Sequence, residues 1–321
     1  MKQRLSPCIA AFVCCLAMTA THAQSGGKPL RMIIPFPPGG SLDVVGRLLG
    51  HKITEISGRT VVVDNRSGAS GNIGTELAAK APPDGATVML NTLPFVVNPA
   101  LFGKTPYDPI TDFAPVSLVA SGPHLLVVHP TVPAKSLDEL LALARAKPGR
   151  LNYSSAGNGT NLHIPAELLK SLAKANIVHV PYKGGSPALT AILGGEVDMS
   201  FINLVPVVPH LQSGRLRAIA VTSAKRSASL PEVPTIAESG IPGYEFTTWW
   251  ALVAPAATPT AAVAGLNELV VKAVKSPDFR ERMVKEGAEA IGSTPEQLAT
   301  HLRAEVAKWG KLVRERGLKA D

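Results

Sequence analysis

Apolar positions along the chain switch repeatedly between short, nearly continuous runs and a spacing of three and four. The runs RMIIPF, TVVVDN (Thr60–Asn65) and ATVMLNT read as strands. Between the first two, Val45, Leu48, Leu49, Ile53 and Ile56 share one face of a helix over Leu42–Ser57. GASGNIG leads into a helical segment at Thr75–Lys80, and Pro82-Pro83-Asp84-Gly85 marks a turn. APVSLVA and HLLVVHP read as two further strands. Ser136-Leu137-Asp138-Glu139 then has the Ser-x-x-Glu form of a capping box and opens a helix to Lys147.

A second cycle resembles the first. LNYSSA passes through GNGT into a helix over residues 161–175, IVHVPY passes through KGGS into Pro187–Leu193, and DMSFIN leads to a short helix ending at Ser213-Gly214. RAIAVTS, a Pro-punctuated stretch over Leu230–Gly243, and FTTWWALVAP return the chain towards helices. The last helix opens at Thr294-Pro295-Glu296-Gln297, and Leu298, Leu302, Val306, Trp309 and Val313 form its apolar stripe. Alternating strands and helices imply α/β lobes with largely parallel sheets. Two such cycles with a helical tail imply two lobes around a cleft, with ligand loops beyond the carboxyl ends of the strands. Trp249 and Trp250, adjacent on a strand, point to opposite faces, so at most one faces a cavity and core packing is the default for it.

The first residues follow another logic. Lys2 and Arg4, the apolar run Cys8–Ala20 and Thr21-His22-Ala23 make a secretory signal peptide over residues 1–23, with cleavage expected after Ala23 and the mature protein expected in the periplasm. All three cysteines, Cys8, Cys14 and Cys15, lie in that leader, so a large core and not disulfides must stabilise the rest. The net charge of +8 is carried by Lys and Arg interspersed with acidic residues, without a basic patch interleaved with aromatics. That pattern suits a surface favouring small anions and argues against nucleic acid.

Several chemistries fail on detail. Phe102-Gly103-Lys104-Thr105 contains Gly-Lys-Thr, but Asn98 stands where a P-loop has its first glycine, and Pro106 follows at once. Gly157-Asn158-Gly159-Thr160-Asn161-Leu162 lacks the third glycine of a dinucleotide fingerprint. Ser41 is not in a Gly-x-Ser-x-Gly elbow. Ser41, Asp43 and His163 read either as a convergent nucleophile set or as a helix cap, a carboxylate at the helix's positive end and a loop-bonding histidine, and the second reading is preferred. The scattered histidines His124, His129, His179 and His210 match no metal spacing, and no cofactor is expected. What remains is anion binding by backbone. Pro37-Pro38-Gly39-Gly40-Ser41 entering a helix exposes N–H groups beside the positive end of the helix dipole. One helix terminus supplies only ~0.3–2 kcal/mol, whereas a micromolar ligand needs about 8 kcal/mol. Several loops must therefore converge, and the pattern recurs at Ser154–Thr160 and Lys183–Ser186.

In order along the chain, PFPPGGSLDVVGRLL, VVVDNRSGASGNIGTELAAKAPPDG, NPALFGKTPYDPITDFAPV, LNYSSAGNGTNLHIPAELL, VHVPYKGGSPALTAILGGEVDMSF, GRLRAIAVTSAKRSASLPEVPTIAESG and WWALVAPAATP cover most of it. In these motifs the chain resembles the extracytoplasmic solute receptors of the tripartite tricarboxylate transporter family, also called Bordetella uptake gene (Bug) receptors. The resemblance implies a type II periplasmic-binding-protein fold, an α/β architecture with lobe 1 at 24–125 and 226–321 and lobe 2 at 126–225. It implies no enzymatic activity but capture of a small organic carboxylate (a di- or tricarboxylate, an acidic amino acid or an aromatic acid) by a monomeric receptor. Delivery would be to the membrane subunits of the transporter. The alternatives are reporting to a membrane sensor and, remotely, serine hydrolysis. Carried over position by position, the ligand residues are Phe36, Pro38, Gly39, Gly40, Ser41 and Asp43 in the first lobe. In the second they are Ser155, Gly157, Gly159, Thr160 and His163, with Lys183 and Gly184 at the rim, and Thr92 and Asn203 after other strand ends. Leu42, Leu93, Ile202 and Ser67 depart from the family's usual residues. These departures put the usual ligand contacts in doubt, Leu42 making its wall more apolar.

Overall fold

The computed structural model describes residues 28–285 and 287–319; the expected signal peptide and its cleavage point lie outside them. The first cycle forms β1 (Leu30–Ile34), α1 (Ser41–Ser57), β2 (Val61–Asn65), α2 (Asn72–Ala79), β3 (Thr87–Asn91) and α3 (Pro94–Phe102). A single long strand, β4 (Phe113–Val128), follows and leads to α4 (Leu137–Ala146). The second cycle gives β5 (Asn152–Ser155), α5 (Ile164–Ala173), β6 (Val178–Pro181), α6 (Gly185–Leu193), β7 (Met199–Asn203), α7 (Leu204–Gln212) and β8 (Arg217–Val221). The chain then returns through β9 (Thr247–Pro255), α8 (Thr260–Val274), α9 (Pro277–Lys285), the short β10 (Glu289–Ala290) and α10 (Pro295–Arg316).

APVSLVA and HLLVVHP are one strand and not two. The Gly122-Pro123 step that reads as a break keeps extended pairing to β9 up to Pro123, and β7 takes over from His124 onward. β4 is thereby common to two half-sheets of like order. One runs β2-β1-β3-β9-β4 and the other β6-β5-β7-β4-β8, with β9 and β4 as the antiparallel members between parallel neighbours. Two α/β lobes result. At the crossing, the His124 N–H donates to Thr222 Oγ1 (2.8 Å), the Thr222 N–H to the His124 carbonyl (2.9 Å), and the Phe246 N–H to the Thr222 carbonyl (2.8 Å). Beyond residue 225 the chain stays with the second half-sheet: the Ile236 N–H donates to the Val221 carbonyl at 3.0 Å before the return at Phe246.

Core packing ties the two halves together. One apolar cluster joins Ile33 and Met89 to Tyr153, Phe201 and the buried stripe of α10, so that helix backs both lobes. Its position is fixed by Glu305, whose Oε2 accepts from the indole nitrogens of Trp249 (2.8 Å) and Trp309 (2.7 Å). Thr294 and Gln297 form the reciprocal capping box that the sequence indicates. At α4 only half of that motif is present: Ser136 accepts from the Glu139 N–H, while the Glu139 carboxylate turns to the N–H of Lys135.

His124 lies at the crossing, fully buried, edge-on to the Phe246 ring with centroids 5.3 Å apart, and neither ring nitrogen has a hydrogen-bond partner among the described residues. Burial lowers its pKa from 6.5 to about 3. The folded state therefore holds the neutral ring while the unfolded chain takes up a proton below pH 6.5, so stability falls as the pH drops from 6.5 towards 3. At pH 5 this costs about 2 kcal/mol. His124→Leu should remove that loss, and urea unfolding of both proteins at pH 5 and pH 7.5 measures it.

Candidate functional site

A cavity of about 320 Å³ opens where the loops following β1, β3, β5, β6 and β7 meet. Its first wall is the turn between β1 and α1. Phe36, Pro37, Pro38, Gly39, Gly40, Ser41, Leu42 and Val44 all line it. No side chain caps α1, and its first intrahelical bond is from the Val44 N–H to the Gly40 carbonyl, which leaves the N–H groups of Ser41, Leu42 and Asp43 outside the helical ladder. These donors and the helix dipole suit the turn to seat an anion.

Asp43 holds that seat from behind and does not line the cavity. Its Oδ2 accepts from the Gly39 N–H (3.0 Å) and from Arg47 Nε (2.9 Å), and its Oδ1 from Asn65 Nδ2 (3.0 Å). Burial raises the Asp43 pKa, but the bonds from Arg47, Gly39 and Asn65 outweigh it and hold the carboxyl below its ordinary range. Asn65 also donates to the Phe36 carbonyl at 3.0 Å, tying the turn to β2. The GASGNIG run buttresses it from the other side. A Cβ at Gly74 would lie 2.7 Å from the Pro35 Cα, so only glycine lets α2 approach so closely.

The opposite wall comes from the second lobe. Ala156, Thr160, Asn161 and Leu162 line the cavity from the loop before α5, and Lys183, Gly184, Gly185, Ser186, Pro187 and Leu189 from the start of α6. That helix also has no side-chain cap. Thr92, Pro94, Ile202 and Asn203 complete the lining. Among the described residues, Lys183 is the only charged side chain on the cavity surface, exposed at its rim. The Leu42 and Ile202 side chains make the interior more apolar, together with Val44, Leu162 and Leu189.

Ten of the residues singled out from sequence thus meet at one cavity: Phe36, Pro38, Gly39, Gly40, Ser41, Thr92, Thr160, Lys183, Gly184 and Asn203. Asp43, Ser155, Gly157, Gly159 and His163 lie behind its surface. Ser155 Oγ accepts from the Gly157 N–H (3.0 Å) and sits 2.6 Å from His179 Nε2. The Gly159 N–H donates to His163 Nδ1 (3.1 Å), and the His163 ring packs on His179 with centroids 4.3 Å apart. Beneath them Glu167 accepts from Tyr153 Oη (2.8 Å) and from Lys170 (2.5 Å). Burial raises the Glu167 pKa, yet Lys170, Tyr153 and His163 together hold it below the usual value. These groups shape the loop. Ser154 donates to the Ala188 carbonyl (3.1 Å) and pairs with Ser200. Both tryptophans pack in cores, Trp249 with α10 and Trp250 with the cluster around α1 and α8. Among the described residues no cluster of His, Cys, Asp and Glu is placed to hold a metal.

Leu42, Val44, Asn161, Leu162, Ser186, Leu189 and Ile202 line the cavity without having been singled out as ligand residues, although Leu42 and Ile202 stand out as departures from the family's usual residues. Neighbourhood to the glycine loops is the only sequence signal for most of them.

Two half-sheets of the same order, joined by a shared strand around a cleft with uncapped helix starts on both sides, define a solute-binding protein of the type II periplasmic-binding class. The sequence model of the tripartite tricarboxylate transporter family receptor matches residues 45–318, and the chain belongs to that family. It is 38% identical over 294 residues to Protein BugT of Bordetella pertussis, covering 91% of this chain and 90% of that protein. The structure of Rpa4515 of R. palustris with adipate superposes with a TM-score of 0.86 at 37% identity, covering 91% of this chain and 98% of that one. MatC (Rpa3494) of Rhodopseudomonas palustris with bound malate gives a TM-score of 0.83 at 33% identity, covering 89% and 98%.

The Asp43 contacts carry a direct consequence. Asp43→Ala leaves the Gly39 N–H and the Asn65 amide without their acceptor, costing roughly 1–3 kcal/mol of stability. Amide exchange at Gly39 should accelerate while exchange in β5 and α5 stays unchanged, as hydrogen-exchange mass spectrometry would read.

Proposed function

We propose that this chain is an extracytoplasmic receptor that closes two lobes over a small carboxylate with an apolar body and delivers it to a tripartite tricarboxylate-type transporter. The observation that carries this reading is the cavity itself. Uncapped starts of α1 and α6 border it, its walls include Leu42, Val44, Leu162, Leu189 and Ile202, and among the described residues no acidic side chain lines it. A carboxylate finds backbone donors there, with Ser41, Thr92, Thr160, Ser186 and Asn203 within the same lining and Lys183 at the rim. An ammonium group would find no carboxylate on the wall, which counts against amino acids. The family and the adipate seen in the similar Rpa4515 structure support a dicarboxylate with a hydrocarbon spine.

The rest of the reading follows from it. On this reading the leader over residues 1–23 exports the receptor to the periplasm, where it acts as a monomer without a chemical step of its own and without a cofactor. Its lobes meet at the Pro123–His124 and Phe246–Thr247 crossings, where the strand pairing changes sides. The membrane subunits of the transporter are its partners, and nucleic acid is not.

A thermal-shift panel of adipate, malate, glutamate and benzoate tests the ligand class. Adipate at a hundredfold excess over its Kd should stabilise the protein by about 2.7 kcal/mol. Glutamate should give no shift. Binding of sugars or amines with no response to any carboxylate would overturn the reading. Leu42→Ser should move preference from adipate towards malate by several-fold, since a hydroxyl replaces apolar wall beside the ligand.

A further inference from the structure

The two lobes touch beside the cavity through a small seam. Asn161, in the loop before α5, reaches across to the first lobe, where its Nδ2 donates to Thr92 Oγ1 (3.0 Å) and Thr248 Oγ1 (2.5 Å). The two hydroxyls are themselves 3.4 Å apart, and all three side chains are buried. One turn earlier, Gly159 lies against α3. A Cβ there would sit 2.8 Å from Leu101 Cδ2 and 3.1 Å from Asn98 Oδ1, and its φ is +75°. The Gly159 N–H is anchored in its own lobe by His163 Nδ1, so the glycine's position against α3 is held and not merely permitted.

Thr248 and Gly159 do not line the cavity, whereas Asn161 and Thr92 line it and bridge the lobes at once. The same side chains therefore border the ligand space and join its two walls. We infer that this seam, Asn161 on Thr92 and Thr248 with Gly159 seated on α3, is the latch that holds the lobes closed and sets how tightly the site retains its ligand. The inference rests on the receptor reading above. Opening the cleft separates the asparagine from both hydroxyls, and a buried amide and two hydroxyls must then find water. The apparent affinity of a site that binds only when closed scales with the closed fraction.

Thr248→Val tests this cleanly, because it removes an acceptor of like shape at a position outside the cavity. Gly159→Val obstructs the seam by sterics. Thr248→Ser keeps the hydroxyl and serves as the rescue. Exported protein is compared by small-angle X-ray scattering with and without 10 mM adipate, and by adipate titration calorimetry. The expected result is a larger radius of gyration for Thr248→Val in at least one of the two conditions, with an unchanged melting temperature. Adipate affinity should fall about tenfold, and Thr248→Ser should match the wild type. Should Gly159→Val fail to fold, Thr248→Val alone decides. Wild-type dimensions in both conditions for Thr248→Val would overturn the latch. If the wild-type protein ignores adipate, the ligand reading fails instead, and the scattering comparison still judges the seam.

Discussion

Much of the molecule depends on one strand serving two sheets. β4 pairs with β9 over its first part and with β7 and β8 over its last, so its backbone hydrogen bonds are shared between lobes without a break in the strand. A buried strand with unpaired N–H and C=O groups would be costly, and the exchange of partners at Pro123–His124 avoids this: proline has no N–H to leave idle, and Thr222 takes both backbone groups of His124. Because the strand is continuous, the lobes are displaced along a common axis, and their carboxyl-end loops face one another across the cavity.

The seat built at those ends has to satisfy two opposed demands. Its amides must stay out of the helical ladder to receive a ligand, yet a glycine turn with free amides has much conformational entropy to lose on binding. Asp43 reconciles them by fastening Gly39 from the helix side while leaving the next donors free, and Asn65 fastens Phe36 from β2. In the second lobe Thr160 Oγ1, bonded to the Gly157 carbonyl at 2.7 Å, and His163 do the equivalent work for the glycine loop. Preorganisation of this kind is the reason that chemically conspicuous side chains such as Asp43 and His163 stand behind the surface, while backbone and small hydroxyls form it.

The strand and helix order was largely legible in the sequence, because continuous apolar runs mark strands buried on both faces and a spacing of three and four marks the buried face of a helix. The β4 reading failed at Ser121-Gly122-Pro123, since local breaker chemistry gave way to pairing that only the tertiary structure supplies. The loops that carry the seat were likewise legible as glycine turns entering helices. What could not be read was direction. Asp43 is one residue beyond Leu42, yet one faces Arg47 and Asn65 while the other lines the cavity. Leu189 and Ile202 of the second lobe meet Leu42 and Val44 of the first only through the mutual placement of two lobes, and no local spacing encodes that.

The composition of the cavity also bears on release. A buried cation paired with a ligand carboxylate would bind firmly, but removing the ligand would strand that charge, a penalty of about 3–5 kcal/mol. Here the one charged group on the lining among the described residues, Lys183, is exposed at the rim and keeps access to water. The interior donors are neutral amides and hydroxyls that water can satisfy as soon as the cleft opens. If the proposed latch holds the lobes closed, retention is governed less by any single contact than by whether the two lobes stay together, and a partner that pulls them apart would gain control over the ligand without competing for the seat.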